Sequence, residues 1–171
     1  KISIEFEYIL SDILKNKNCI LCLSNMIEYN KSHLDRFKSK VGDNFHKIIF
    51  YETMDTKTYL NLVMHFDIIL DPFPFGGCNT SLEGFSKNIP IITYPTNFIN
   101  GRFTKGFYDM MGIGDLCVNS SSEYVDKTNK LINDINYRNG IKDKINSKKE
   151  ILFENKEVIN EWSVFFNNLH I

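Results

Sequence analysis

Asp67-Ile-Ile-Leu-Asp-Pro-Phe-Pro-Phe-Gly-Gly-Cys-Asn-Thr-Ser-Leu-Glu83 is the stretch from which the fold can be read. Its opening, Asp67 to Asp71, holds a short apolar run between two acids, the pattern of a strand covered on both faces. Pro72 and Pro74 then forbid helix and stiffen the exit. Gly76 and Gly77 permit positive φ and remove the Cβ atoms that would hold a ligand off the backbone. Asn79, Thr80 and Ser81 open a helix that runs to about Lys87. Strand, glycine turn and helix in that order make one unit of a parallel α/β sheet. Such sheets bind ligands beyond the carboxyl ends of their strands.

Upstream the same alternation recurs. Ser3 is placed to cap a helix carrying Phe6, Ile9, Leu10, Ile13 and Leu14 at helical spacing, and Cys19–Leu23 is a continuous apolar strand. A polar helix over Ser32–Lys40 precedes a strand over Lys47–Tyr51. Asp55 or Thr56 caps a helix with Tyr59, Leu60, Val63 and Met64 on one face. Downstream, Ile89–Thr93 reads as a strand, Gly101–Met111 as a helix with its lead-in, and Leu116–Val118 as a short last strand. From Ser120 only helices follow, over Ser121–Ile135, Tyr137–Lys149 and Lys156–Leu169. The expectation is α/β: one Rossmann-like parallel sheet with helices on both faces, ending in several helices, as a single domain over residues 1–171.

Composition narrows the function. At 171 residues, 43% hydrophobic and 24% charged, the chain suits a globular domain with one sizeable core. A net charge of −1 and a pI near 6.5 provide no basic field for nucleic acid. No apolar run reaches the roughly 18 residues of a membrane span. No secretory signal is evident, since Lys1–Glu5 is already amphipathic. The first residue is not Met, so an excerpt from a longer chain is expected. Cys19 and Cys22 have CxxC spacing but lie in an apolar run, and no second pair or nearby His completes a zinc site. They read as core residues of a protein in a reducing cytoplasm.

The chemistry gathers at the glycine turn. Unpaired N–H groups at a helix start, with the helix dipole and nearby hydroxyls, form a receptor for a diphosphate. Glu83, one turn in, is placed to accept from a ribose diol. The plainer alternative is that Asn79 or Thr80 is only a cap and Glu83 only a dipole-favoured acid. On the loop after the next strand, Arg102 could order that loop or approach a phosphate. Equally, Arg102 and Lys105 could be solvated helix charges.

Asp67–Asp71, Gly76-Gly77, Asn79–Glu83, Ile89–Pro95, Gly101-Arg102 and Met111–Ile113 together resemble the C-terminal half of the O-GlcNAc transferase family. The Pro72–Gly76 run is similar to that of the related cytoplasmic protein N-glucosyltransferases. The resemblance implies a two-Rossmann-domain (GT-B) enzyme that uses a UDP-sugar without a metal and has no other cofactor. It places the pyrophosphate on Gly77, Cys78, Asn79 and Thr80, flanked by Gly76 and Ser81, and the ribose on Glu83. Backbone groups reading uracil fall near Thr53 and Met54, with Tyr59 beside the base. Arg102 and Lys1 become the candidate cations of the catalytic centre, Lys1 opening a Lys-Ile-Ser-Ile match to a Lys-Ile-x-Pro segment. Cys78 stands where these enzymes often have His, Asn79 where they have Thr, and Glu83 where they have Asp. The implied reaction moves GlcNAc or a hexose to protein Ser, Thr or Asn. The acceptor would be held by an N-terminal domain outside these residues, leaving the 171-residue chain inactive by itself. Alternatives are a GT-B enzyme for glycan or lipid acceptors, or a non-catalytic nucleotide-binding module.

Overall fold

A computed structural model describes residues 2–25 and 31–169. The helix α1 (Ile4–Leu14) starts where the Phe6 N–H donates to Ser3 Oγ at 3.1 Å. Its apolar face, Phe6, Ile9, Leu10, Ile13 and Leu14, is buried. Then come β1 (Leu21–Ser24), α2 (Lys31–Val41), a 3₁₀ segment (Gly42–Lys47) and β2 (Ile48–Tyr51). Asp55 caps α3 (Thr56–Val63) by accepting the Thr58 N–H at 3.1 Å. Met64, expected on the inner face of α3, is 54% exposed at the helix C-cap. β3 (Ile69–Leu70), α4 (Asn79–Ser86), β4 (Ile91–Ile92), a 3₁₀ turn (Ile99–Gly101) and α5 (Phe103–Met111) follow. Gly112 closes α5 in the left-handed region, φ +62°, as a helix C-terminus requires. The end of the chain holds α6 (Ser121–Asn133), α7 (Ile135–Lys148), a 3₁₀ turn (Lys149–Leu152) and α8 (Lys156–Asn167).

All described strand pairs are parallel, but the expected single sheet is divided. β1 pairs with β2 from Leu21↔Ile48 to Ser24↔Tyr51, and β3 pairs with β4 through Ile69↔Ile91 and Leu70↔Ile92. Between β1 and β3 lies a cavity of about 660 Å³, closed on one side by Phe6, Leu10, Ile13 and Leu14 of α1. One apolar cluster still joins both halves, so packing rather than a ladder holds the layer together. β3 is shorter than expected, although the Asp71 N–H still donates to the Ile92 carbonyl at 2.9 Å just before Pro72. The expected strand at Leu116–Val118 is reduced to a bridge between Thr93 and Cys117. The cause is visible at β4, where the Tyr108 hydroxyl accepts the Ile91 N–H at 3.0 Å and donates to its carbonyl at 2.9 Å. A side chain has taken the outer-edge groups of Ile91 that a fifth strand would use.

Helices cover both faces. Ile69 and Ile91 aim at α4, where a Cβ on Gly84 would lie 2.6 and 3.1 Å from their δ-carbons. Side chains alternate along a strand, so Leu70 and Ile92 face the other layer. There Tyr124 of α6 sets its hydroxyl 3.1 Å from the carbonyls of both Asp71 and Ile92. Burial pushes the phenols of Tyr108 and Tyr124 well above their ordinary range, so both remain neutral donors. α1 packs against α2 and α6. Its buried Glu7 receives Arg36 and Lys40 of α2, at 2.5 and 3.2 Å.

Candidate functional site

Two loops at the carboxyl ends of β3 and β4 are joined into one corner. Phe73 is buried and sets its ring edge-on to Phe6 (5.4 Å) and Tyr94 (5.0 Å), anchoring the Pro-Phe-Pro-Phe lead-in. The Phe73–Pro74 peptide is cis. Asp71 is 4% exposed. Its Oδ1 accepts the Gly77 N–H at 2.6 Å and its Oδ2 accepts the Thr93 hydroxyl at 2.8 Å. The Gly76 N–H donates to the Asn100 carbonyl at 3.0 Å, and the Thr96 N–H to the Gly101 carbonyl at 3.3 Å. A Cβ on Gly101 would come within 2.6 Å of the Pro74 carbonyl, so glycine is needed where the second loop meets the first.

The glycine pair works differently from the expectation. The described glycines with positive φ are Gly42 and Gly112, not Gly76 or Gly77. A Cβ on Gly77 would overlap the Ser81 hydroxyl and lie 2.7 Å from that of Thr80, and one on Gly76 would meet Asp71 Oδ1 at 3.0 Å. The two residues make room for the chain's own groups.

Beyond Gly77 the hydrogen bonding changes. Ser3, Asp55, Ser120, Asp134 and Asn155 each cap a helix with a side chain, whereas Cys78, at the cap position of α4, does not. Ser81 and Leu82 donate back to the Cys78 carbonyl, each at 3.1 Å. The N–H groups of Cys78, Asn79 and Thr80 bond to nothing among the described residues. These donors, with the dipole of α4 behind them, form a candidate anion receptor. Asn79 and Thr80 are exposed there and Cys78 is half-buried. Ser81 is turned inward, its hydroxyl 2.7 Å from Thr104 Oγ1, so it packs α4 against α5 and does not face the opening.

The remaining sequence candidates divide. Tyr59 lies on α3 and Glu83 on α4, two helices that pack against each other, and burial first, then the charges of Tyr51 and Glu83, push the Tyr59 phenol up to about 12. Thr53, exposed, and Met54, half-buried, lie in the loop entering α3, and no hydrogen bond occupies their backbone groups among the described residues. Arg102 precedes α5, exposed and without a side-chain partner among the described residues, while Lys105 is paired with Asp109 at 2.5 Å. Lys1 lies outside the described residues. The cavity between the strand pairs reaches Tyr51, Tyr59 and Pro72 but not Gly76–Ser81 or Glu83, so it lies beside the anion receptor. Among the described residues no three His, Cys, Asp or Glu side chains converge as a metal site. Sequence reasoning missed the roles of Asp71, Thr93, Phe73 and Thr104. A carboxylate at the end of a buried strand, followed by two prolines and two glycines, was the available signal for the first.

Every described member of this corner falls within residues 4–161, which match the model of glycosyl transferase family 41. The chain belongs to glycosyl transferase family 41. Among solved structures it is similar to an O-GlcNAc transferase mutant of Thermobaculum terrenum, with a TM-score of 0.78 at 19% identity over 90% of this chain. That likeness establishes a shared α/β fold, as the sequence resemblance implied. The family 41 chain spans 31% of that structure's length. Comparison with curated proteins returns no match. No helix among the described residues is long and apolar enough to cross a membrane.

Proposed function

We propose that this chain is the donor half of a UDP-sugar-dependent glycosyltransferase that modifies protein Ser, Thr or Asn side chains. The observation that carries the reading is the row of unbonded N–H groups at Cys78, Asn79 and Thr80 among the described residues, with Glu83 one turn further along α4. The pyrophosphate meets those donors and the Thr80 hydroxyl. Glu83 accepts from the ribose diol, Tyr59 lies beside the base, and the backbone of Thr53 and Met54 reads its edge. As the sugar leaves, negative charge grows on the β-phosphate. Donors held in place before the reaction bind that charge better than the ground state, which lowers the barrier. Arg102 supplies a mobile cation, and Lys1 a second one by its resemblance to the family lysine. In this reading they take the place of a metal. The four free thiols suit a cytoplasmic setting. The acceptor is held by polypeptide other than this donor half, so the chain alone binds UDP and transfers nothing.

Isothermal titration with UDP tests the assignment. Wild type gives a saturable heat, and Thr80→Ala with Glu83→Ala weakens binding by about tenfold or more, the loss expected for two polar contacts. No heat from wild type, or unchanged affinity in the double variant, would sink it. In a protein carrying this chain, transfer persists in EDTA; activity abolished by chelation and restored by manganese would overturn the metal-free part.

A further inference from the structure

We propose that Asp71 is the positioning residue of the phosphate receptor, acting through Gly77 without touching the donor; this rests on the functional reading above. Asp71 sits at the last point where β3 is held: its N–H donates to the Ile92 carbonyl at 2.9 Å, and its carbonyl lies 3.1 Å from the Tyr124 hydroxyl. A carboxylate this deeply buried is expensive to desolvate, so strong donors are needed to keep it there. Its donors include the Gly77 N–H at 2.6 Å, a charge-assisted bond, and the Thr93 hydroxyl at 2.8 Å. The bond to Gly77 marks a boundary. Before it, the N–H groups of Gly76 and Gly77 turn inward, to Asn100 and Asp71. After it, those of Cys78, Asn79 and Thr80 are unbonded among the described residues. Cys78, the next residue, has φ −129° and ψ −83°, outside the extended geometry of the side-chain-capped helices here. The Asp71 clamp therefore fixes which peptide groups face the protein and which face the ligand. It is tight enough that a Cβ on Gly76 would meet the carboxylate. A carboxylate with a merely structural role would support the whole domain equally. A positioning carboxylate acts on the phosphate part of the donor and leaves the nucleoside part alone.

The test compares UDP with uridine on the 171-residue chain, by calorimetry and ligand-observed NMR. Asp71→Ala weakens UDP by about tenfold or more, as loss of a charge-assisted bond predicts, and changes uridine by less than about twofold. Asp71→Asn keeps an acceptor for the Gly77 N–H and holds UDP within about threefold of wild type. Thr93→Val removes the hydroxyl that donates to Asp71 Oδ2 and weakens UDP by about threefold with uridine unchanged. Should Asp71→Ala fail to fold, the Thr93→Val result decides. Equal losses for UDP and uridine, or UDP binding as tight as wild type in Asp71→Ala or Thr93→Val, overturn the positioning role alone. Wild type that binds no UDP overturns the functional reading and this inference with it.

Discussion

At Gly77 the chain has no room for a β-carbon, and the obstruction is the pair of hydroxyls at the start of α4. Gly77→Ala must displace Ser81, which is locked to Thr104, or Thr80, which faces the opening. We expect a loss of about 1–3 kcal/mol in urea unfolding, the usual result of overpacking, together with weaker UDP binding. Stability and UDP affinity both unchanged in Gly77→Ala would refute this account of the close approach. Tyr59 makes a different prediction. With its phenol pushed up to about 12, it remains a neutral donor through the physiological range, so UDP affinity shows no step from Tyr59 between pH 7 and 10. A step in that interval that vanishes in Tyr59→Phe would contradict it. At this scale sequence reading pointed to the candidate groups at the start of α4, because glycines, hydroxyls and acids gather there at a strand–helix turn. It misjudged the glycines and overlooked Asp71, because what a side chain touches is set by residues distant in sequence, such as Thr93.

At the scale of elements, Glu7 joins α1 to α2 from a buried position. Burial raises its carboxyl, but hydrogen bonds and charge from Arg36 and Lys40 outweigh that and leave it below the usual carboxylate value. A group with a depressed folded pKa contributes stability above its unfolded pKa of about 4.5 and loses it as pH falls through the folded value. Stability should therefore decline on acidification below that point. Glu7→Gln should flatten the decline and lower neutral stability by roughly 2 kcal/mol, modest for an ion pair because Arg36 keeps contact with water. An acid limb as steep in Glu7→Gln as in wild type would show that the pair is not its source. At the edge of β4, Tyr108→Phe leaves the Ile91 N–H and carbonyl buried without their partner and should cost about 2 kcal/mol in denaturant melts. Helix positions and the caps Ser3 and Asp55 were legible in the sequence, since both depend on near neighbours, whereas the caps Ser120, Asp134 and Asn155 came only from the structure. Strand pairing was not, because nothing local shows that a tyrosine on α5 closes β4 or that β1 and β3 stand apart.

For the molecule as a whole, α8 stands outside the core. None of its residues is buried, and Val158, Ile159, Trp162, Phe165 and Phe166 are exposed along one stripe, the three rings resting on one another. Trp162 is the sole tryptophan. Its emission should already resemble that of a solvated indole in the native state and shift little across the unfolding transition seen by circular dichroism. Removing residues 156–171 should leave the melting midpoint of the remainder nearly unchanged, since none of the described residues of α8 is buried in the core. A large blue-to-red shift of Trp162 emission on unfolding would place α8 in the core and overturn this description.

By itself the sequence determined the order of strands and helices, the parallel α/β class and the family, and it marked the corner between Asp71 and Glu83 as the candidate site. These follow from periodicity, proline and glycine positions and cap residues, all short-range properties of a chain. Only the tertiary structure decided that the strands form two pairs and that Ser81 faces inward while Thr80 faces out. It also decided that Asp71 and Thr93 hold Gly77 in place. The reason is physical: a hydrogen bond or a close approach depends on where two segments meet in space, and that is settled by packing across the whole core.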